Sequence, residues 1–321
     1  MVDYFFENKN PFIIAIEDKE EYTYEEYIDI QKQLEAINLY DYIDSLYPPS
    51  GLRTTLNEFK RRITKGINAK IIDIEANTIP TKILHKIGNE DSQNCFVCCT
   101  PLHNDRHEYS KQILQSLEEV GFNGYLLLLN GGFPNPTGKE MKYAGVPYSF
   151  KIFMLLEAKK IGFNKVIWID ACCYATNDPT KLFDILEEDA FIFRPFRANL
   201  FAPDTAINII LPNTLELLSG LFNRDIKNDT NINSIVFGLN FSSKKVDNFI
   251  SKYYEMVELG LPFFSSFPEE NVFAAILNDG EYSSILYNNI NYKNLLYINS
   301  IYLSNVQAKS RGYYFVQKAY N

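Results

Sequence analysis

From Asn94 onward, short apolar runs alternate with amphipathic stretches of helical period, and this alternation constrains the fold more than any other feature of the chain. Cys95–Cys99 reads as a buried strand. A helix is expected over 106–120, where Ile113, Leu114, Leu117 and Val120 recur at helical spacing and Gly121 follows as a stop. Tyr125–Leu129 is a run of five apolar residues, the pattern of a strand covered on both faces. A second helix is expected over 148–161, with Ile152, Phe153 and Leu156 on one face and Gly162 as its stop. Then come a strand at Val166–Ile169, a short helix over 180–187 and a strand at 190–193. Strands alternating with helices predict an α/β domain built on a parallel sheet with helices on its faces.

The preceding residues have another texture. Residues 22–46 are acidic, rich in Tyr and Ile, and helical in pattern until Pro48-Pro49-Ser50-Gly51 breaks them. A further helix is expected over 52–63, a short strand at Lys70–Ile74, and a polar connector over 88–94. The expected organisation is an N-terminal, mostly helical cap or extension over 1–92 and a main domain over 93–321.

A net charge of -9 leaves no basic stripe for a phosphate backbone, so nucleic acid is not an expected partner. Lys60-Arg61-Arg62 reads as a solvated helix face. No apolar run reaches the roughly 20 residues that span a bilayer. The opening MVDYFFENKN has neither the basic nor the apolar region of a signal peptide. Cysteines 95, 98, 99, 172 and 173 are odd in number and sit in apolar segments, which suits reduced thiols and a cytoplasmic location. Cys95 and Cys98 have C-x-x-C spacing, but on a strand they point to opposite faces, so core packing is preferred to a zinc knuckle. Aromatic residues, 15% of the chain, suit either a packed core or carbohydrate-stacking surfaces, and core packing is the plainer reading.

Ligands on such sheets bind at the carboxyl ends of strands, here Thr100–Asn104, Asn130–Phe133 and Asp170–Cys173. Asp170 follows four apolar strand residues directly. Its carboxylate could take a divalent cation or a ribose hydroxyl, or simply cap its own turn. Lys151 falls in the first turn of a helix, where the dipole disfavours a cation unless an anion is near; a solvated surface lysine is the alternative. In Thr100-Pro101-Leu-His103-Asn-Asp-Arg106, His103 or Arg106 could touch phosphate or base, or Asn104 and Asp105 could cap the next helix. Asn130-Gly131-Gly132 permits close backbone approach, and equally a plain turn. Glu269 and Glu270 open a helix, where acids are favourable in any case.

The segment YSFKIFMLLEAKKIGFNKVIWIDAC, with the strand from Ile235 through Gly238, the helix over 246–259 and Pro268-Glu269-Glu270-Asn271, resembles the GT-A type nucleotide-sugar glycosyltransferases. The resemblance covers about residues 94 to 280. It implies a GT-A-like, Rossmann-related domain over 93–321 with a mixed, mainly parallel sheet. The implied partners are a nucleotide-sugar donor, UDP-sugars among them, and a glycan or protein acceptor; a homodimer is compatible with the sequence. Thr100, Pro101, His103 and Arg106 would then meet the nucleotide, as would Asp170, Ala171 and Cys172. Lys151 would stabilise the leaving diphosphate, and Glu269 or Glu270 would be the general base of an inverting transfer. One departure matters. The second acid of a D-x-D motif falls at Cys172, and no histidine follows the motif. A lone Asp170 among thiols is a poor site for Mg or Mn, although Asp178 could supply an additional oxygen. A sugar-phosphate nucleotidyltransferase is a rival, disfavoured because TPLHNDRHE lacks a glycine-rich loop. A catalytically inactive binding module is a second rival, favoured by the missing acid.

Overall fold

The computed structural model describes Glu25 and residues 81–89, 92–100, 106–130, 146, 149–195, 212–263, 268–287 and 295–318. Apart from Glu25, which is helical, the helices and the strand expected before residue 80 lie outside the described residues. The first described strand, β1 (Thr81–Ile87), is followed by β2 (Asn94–Thr100), α1 (Arg106–Glu119), β3 (Gly124–Asn130), α2 (Phe150–Lys160) and β4 (Lys165–Ile169). The chain continues through β5 (Cys173–Ala175), α3 (Thr180–Asp189), β6 (Phe191–Pro195), α4 (Pro212–Leu221), β7 (Ile232–Asn240) and α5 (Lys244–Leu259). It closes with α6 (Pro268–Leu277), α7 (Ser283–Tyr287), β8 (Tyr297–Asn299), α8 (Asn305–Ser310) and β9 (Phe315–Gln317).

Six strands form one mixed sheet in the order β1-β3-β2-β4-β7-β6. β3, β2 and β4 pair in parallel, whereas β7 runs antiparallel between β4 and β6. β2, β3, β4 and β6 therefore run the same way, and their carboxyl ends share one edge. The alternation of the central strands explains the two-sided core. Leu127 and Leu129 point to one face with Cys95, Val97, Val166 and Trp168, where α2, α5 and α6 cover them. Leu126 and Leu128 point to the other with Phe96, Cys98, Ile167 and Ile169, beneath α1 and α3. Cys95 and Cys98 thus lie on opposite faces, both buried, and all five cysteines are free thiols. Gly238 lets α3 sit close on β7: a Cβ there would lie 3.0 Å from Ile167 Cγ1 and 3.1 Å from Leu186 Cδ1.

Two features go beyond the sequence reading. β1 comes from the stretch read as N-terminal extension, yet it pairs with β3 from Thr81↔Asn130 to Ile87↔Gly124 and forms an edge of the main sheet. A second sheet, β5-β9-β8, joins the turn after β4 to the C-terminal segment. No helix among the described residues is long and apolar enough to cross a membrane.

Candidate functional site

Alternation along β4 sets the site. Asp170 follows Trp168 by two residues, so both face the α2 and α6 side, and the Trp168 indole N–H donates to Asp170 Oδ1 at 2.6 Å. The backbone fixes the turn that carries the carboxylate. Asp170 N–H donates to the Ile235 carbonyl, Cys173 N–H to the Asp170 carbonyl, and Lys318 N–H to the Cys172 carbonyl.

Lys151, in the first turn of α2, enters from above. It is 5% exposed, and its Nζ lies 2.9 Å from Glu269 Oε1 and 3.3 Å from Asp170 Oδ1. It also donates to Ser234 Oγ at 2.8 Å and approaches the Ser234 carbonyl at 3.2 Å. An ammonium has three N–H donors, so these acceptors take up its capacity inside the protein. Burial alone would lower the Lys151 pKa; the carboxylates of Asp170, Glu269 and Glu270 override it and hold the ammonium above the ordinary lysine value. Lys151 is therefore a protonated counter-ion and not a base for the adjacent Ser234 hydroxyl.

Ser234 is the hub of the cluster. Its hydroxyl lies 2.7 Å from Glu269 Oε1, and its N–H donates to Glu270 Oε1 at 3.0 Å. Its place depends on an irregularity in β7. The β6–β7 register shifts between Ile192 and Arg194. Ile232, Phe237 and Leu239 pack on the α6 face, whereas Ile235 and Val236 pack on the α3 face. Regular alternation would put Ser234 with Val236; the irregularity turns it to the carboxylates. The Asn233 side chain closes the bend by accepting from Ile235 N–H at 2.9 Å. α6 supplies the two acids from its first turn, Glu269 buried and Glu270 half-buried. Tyr253 of α5 lies beneath; burial, with the Glu269 charge nearby, pushes its phenol well above the ordinary value.

The structure thus brings Lys151, Asp170, Glu269 and Glu270 together, although they span 120 positions of sequence. Ala171 and Cys172 follow Asp170 and are buried, at 6% and 1% exposure. Thr100 ends β2 at the same edge and is buried. Arg106 opens α1, but its side chain, like Pro101, His103, Gly131 and Gly132, lies outside the described residues. Asp178 is exposed and accepts from Thr180 N–H and Oγ1 at the start of α3. Asp247 pairs with Lys159 on the exposed side of α5.

Ser234, Trp168 and Tyr253 were missed by the sequence reading. Trp168 was findable, since a tryptophan two residues before a strand-end acid must share its face. Ser234 was not, because the pattern gives no sign of the shifted register beyond the polar Asn231, Asn233 and Ser234 ahead of Ile235-Val236-Phe237.

The donor set fits a divalent cation poorly. Asp170 Oδ1 already faces the indole N–H and the Lys151 ammonium, and a dication would sit beside that positive charge. Among the described residues no group of three or more His, Cys, Asp or Glu is placed to hold a metal ion.

No family model matches the chain, and no curated protein matches it. Seven solved chains are similar. Among them is the apo structure of WbbM, a bifunctional glycosyltransferase, with 10% sequence identity and a TM-score of 0.41 over 72% of this chain and 46% of that one. The chain spans less than half the length of that protein.

Proposed function

We propose that the chain is a glycosyltransferase that moves a sugar from a nucleoside-diphosphate donor to an acceptor hydroxyl, in a reducing, cytoplasm-like compartment. One observation carries the reading: Asp170 at the carboxyl edge of the sheet meets Glu269 and Glu270 from the start of α6 across a single buried lysine. In this proposal the donor lies across the edge formed by Thr100 and Asp170, whose carboxylate takes a donor hydroxyl. Lys151 serves by holding Asp170 and Glu269 in place and not by binding the diphosphate, since its N–H groups are already committed.

An inverting transfer needs a carboxylate to take the acceptor proton as the hydroxyl attacks the anomeric carbon and the nucleoside diphosphate leaves. Glu270 suits this role better than Glu269. Glu269 is buried against Lys151 and Ser234, whereas Glu270 is half-buried and held through Ser234 N–H. Glu270→Gln is expected to spare donor affinity and cut transfer about 10²–10⁴-fold, the usual range for a lost general base. Donor titration and turnover on the same preparation test this, and turnover at the parent rate would remove Glu270 from the role.

A further inference from the structure

With Lys151 committed to carboxylates, a donor diphosphate at this edge needs another cation. Asp170, Glu269 and Glu270 carry three negative charges against one ammonium, and that field opposes a dianion. β6 supplies the missing charge. It runs parallel to β4, so Arg194, near its carboxyl end, stands at the same edge as Asp170. Its Cα is paired with Asn233, the neighbour of Ser234.

Arg194 differs from the other site cation in how it is held. It is half-buried, not buried, and its guanidinium lies over the Tyr297 ring, 4.1 Å from the centroid. NH1 donates to the Tyr297 carbonyl at 2.9 Å. Among the described residues no carboxylate comes within ion-pair distance of it, although the Tyr297 phenol senses both Arg194 and Glu270. Guanidinium is always charged and presents five N–H donors in a planar fork that matches phosphate oxygens. Stacking on Tyr297 fixes the plane of that fork before a ligand arrives, so little rotamer freedom is lost on binding.

Building on the reading above, we infer that Arg194, stacked on Tyr297 at the carboxyl end of β6, is the residue that anchors the diphosphate of the nucleotide donor. The phosphate group is bound by the fork and the Lys151 cluster stays intact. During transfer the same contact stabilises the charge that grows on the departing nucleoside diphosphate.

The test uses the full chain with UDP, GDP and ADP and their nucleosides as probes, titrated by calorimetry on the parent, Arg194→Gln and Arg194→Met. The second variant keeps an apolar stem against Tyr297, and the inference is judged on whichever variant retains the parent's circular dichroism. The expected result is at least tenfold weaker binding of the nucleoside diphosphate that the parent prefers, with nucleoside binding unchanged. Parent-level diphosphate affinity in the variant would overturn the assignment of Arg194 and leave the functional reading standing. Equal weakening of nucleoside and diphosphate would also overturn it, as a packing effect. A parent that binds none of the three diphosphates would sink the functional reading itself.

Discussion

Replacing Lys151 by methionine keeps a stem of similar length and removes the ammonium that sits among Asp170, Glu269 and Ser234. At an effective dielectric of about 20, Coulomb's law gives about 6 kcal/mol for the Glu269 contact at 2.9 Å and about 5 kcal/mol for the Asp170 contact at 3.3 Å. The desolvation cost of the lysine disappears with it, which offsets part of that loss, but buried Glu269 stays and its charge is left uncompensated. Breaking one side of a buried pair costs about 3–5 kcal/mol, and that is the expected loss here. The assay is urea unfolding followed by fluorescence of Trp168, the chain's one tryptophan, which is buried at the site beside Phe237. Adding Glu269→Gln to Lys151→Met should restore about 1 kcal/mol or more, because the two groups contact each other. A loss below about 1 kcal/mol for Lys151→Met, or two strictly additive losses, would refute the counter-ion role.

Two further expectations concern stability. Ala190 ends α3 in the left-handed region at φ 66°, so Ala190→Gly should gain about 1 kcal/mol in the same urea assay; an unchanged or lower stability would count against a strained cap. Burial raises the Cys95 thiol, and burial with the neighbouring Cys172 raises Cys173, so the folded state keeps both neutral while the unfolded chain releases their protons near pH 9. A raised folded pKa gives stability that is intact below the unfolded value and lost above it. Unfolding free energies from urea titrations should therefore fall from about pH 9 upward, by about 1.4 kcal/mol per thiol per pH unit, and a free energy constant to pH 10 would contradict this.

The parts of the fold visible in the sequence were those fixed by local pattern. The unbroken apolar runs at Cys95–Cys99 and Tyr125–Leu129 became β2 and β3, and the stop glycines Gly121 and Gly162 fell just beyond α1 and α2. Pairing decisions were not local. β1 has exposed Ile83 and Leu84 on an edge strand, so its pattern does not distinguish it from a connector. The strands β5, β8 and β9 are three residues each, too short for a periodicity to register. At the site, Asp170 was legible because an acid ending an apolar strand must stand at the ligand edge. That Lys151 turns inward was not, because nothing in the first turn of a helix tells a diphosphate partner from carboxylates arriving 118 residues later. Arg194 and Ser234 depended on the β6–β7 register shift, a property of two strands together.

Thermal unfolding of the full chain with a panel of UDP-, GDP- and ADP-sugars tests the central claim most directly. A donor that binds only the folded chain adds about 2.7 kcal/mol of stability at a hundredfold excess over its dissociation constant. The expected result is that at least one donor raises the parent's midpoint, while Asp170→Asn, compared with its own ligand-free midpoint, shows no such rise. A parent midpoint that no nucleotide sugar in the panel moves would contradict the claim that this edge is a donor site.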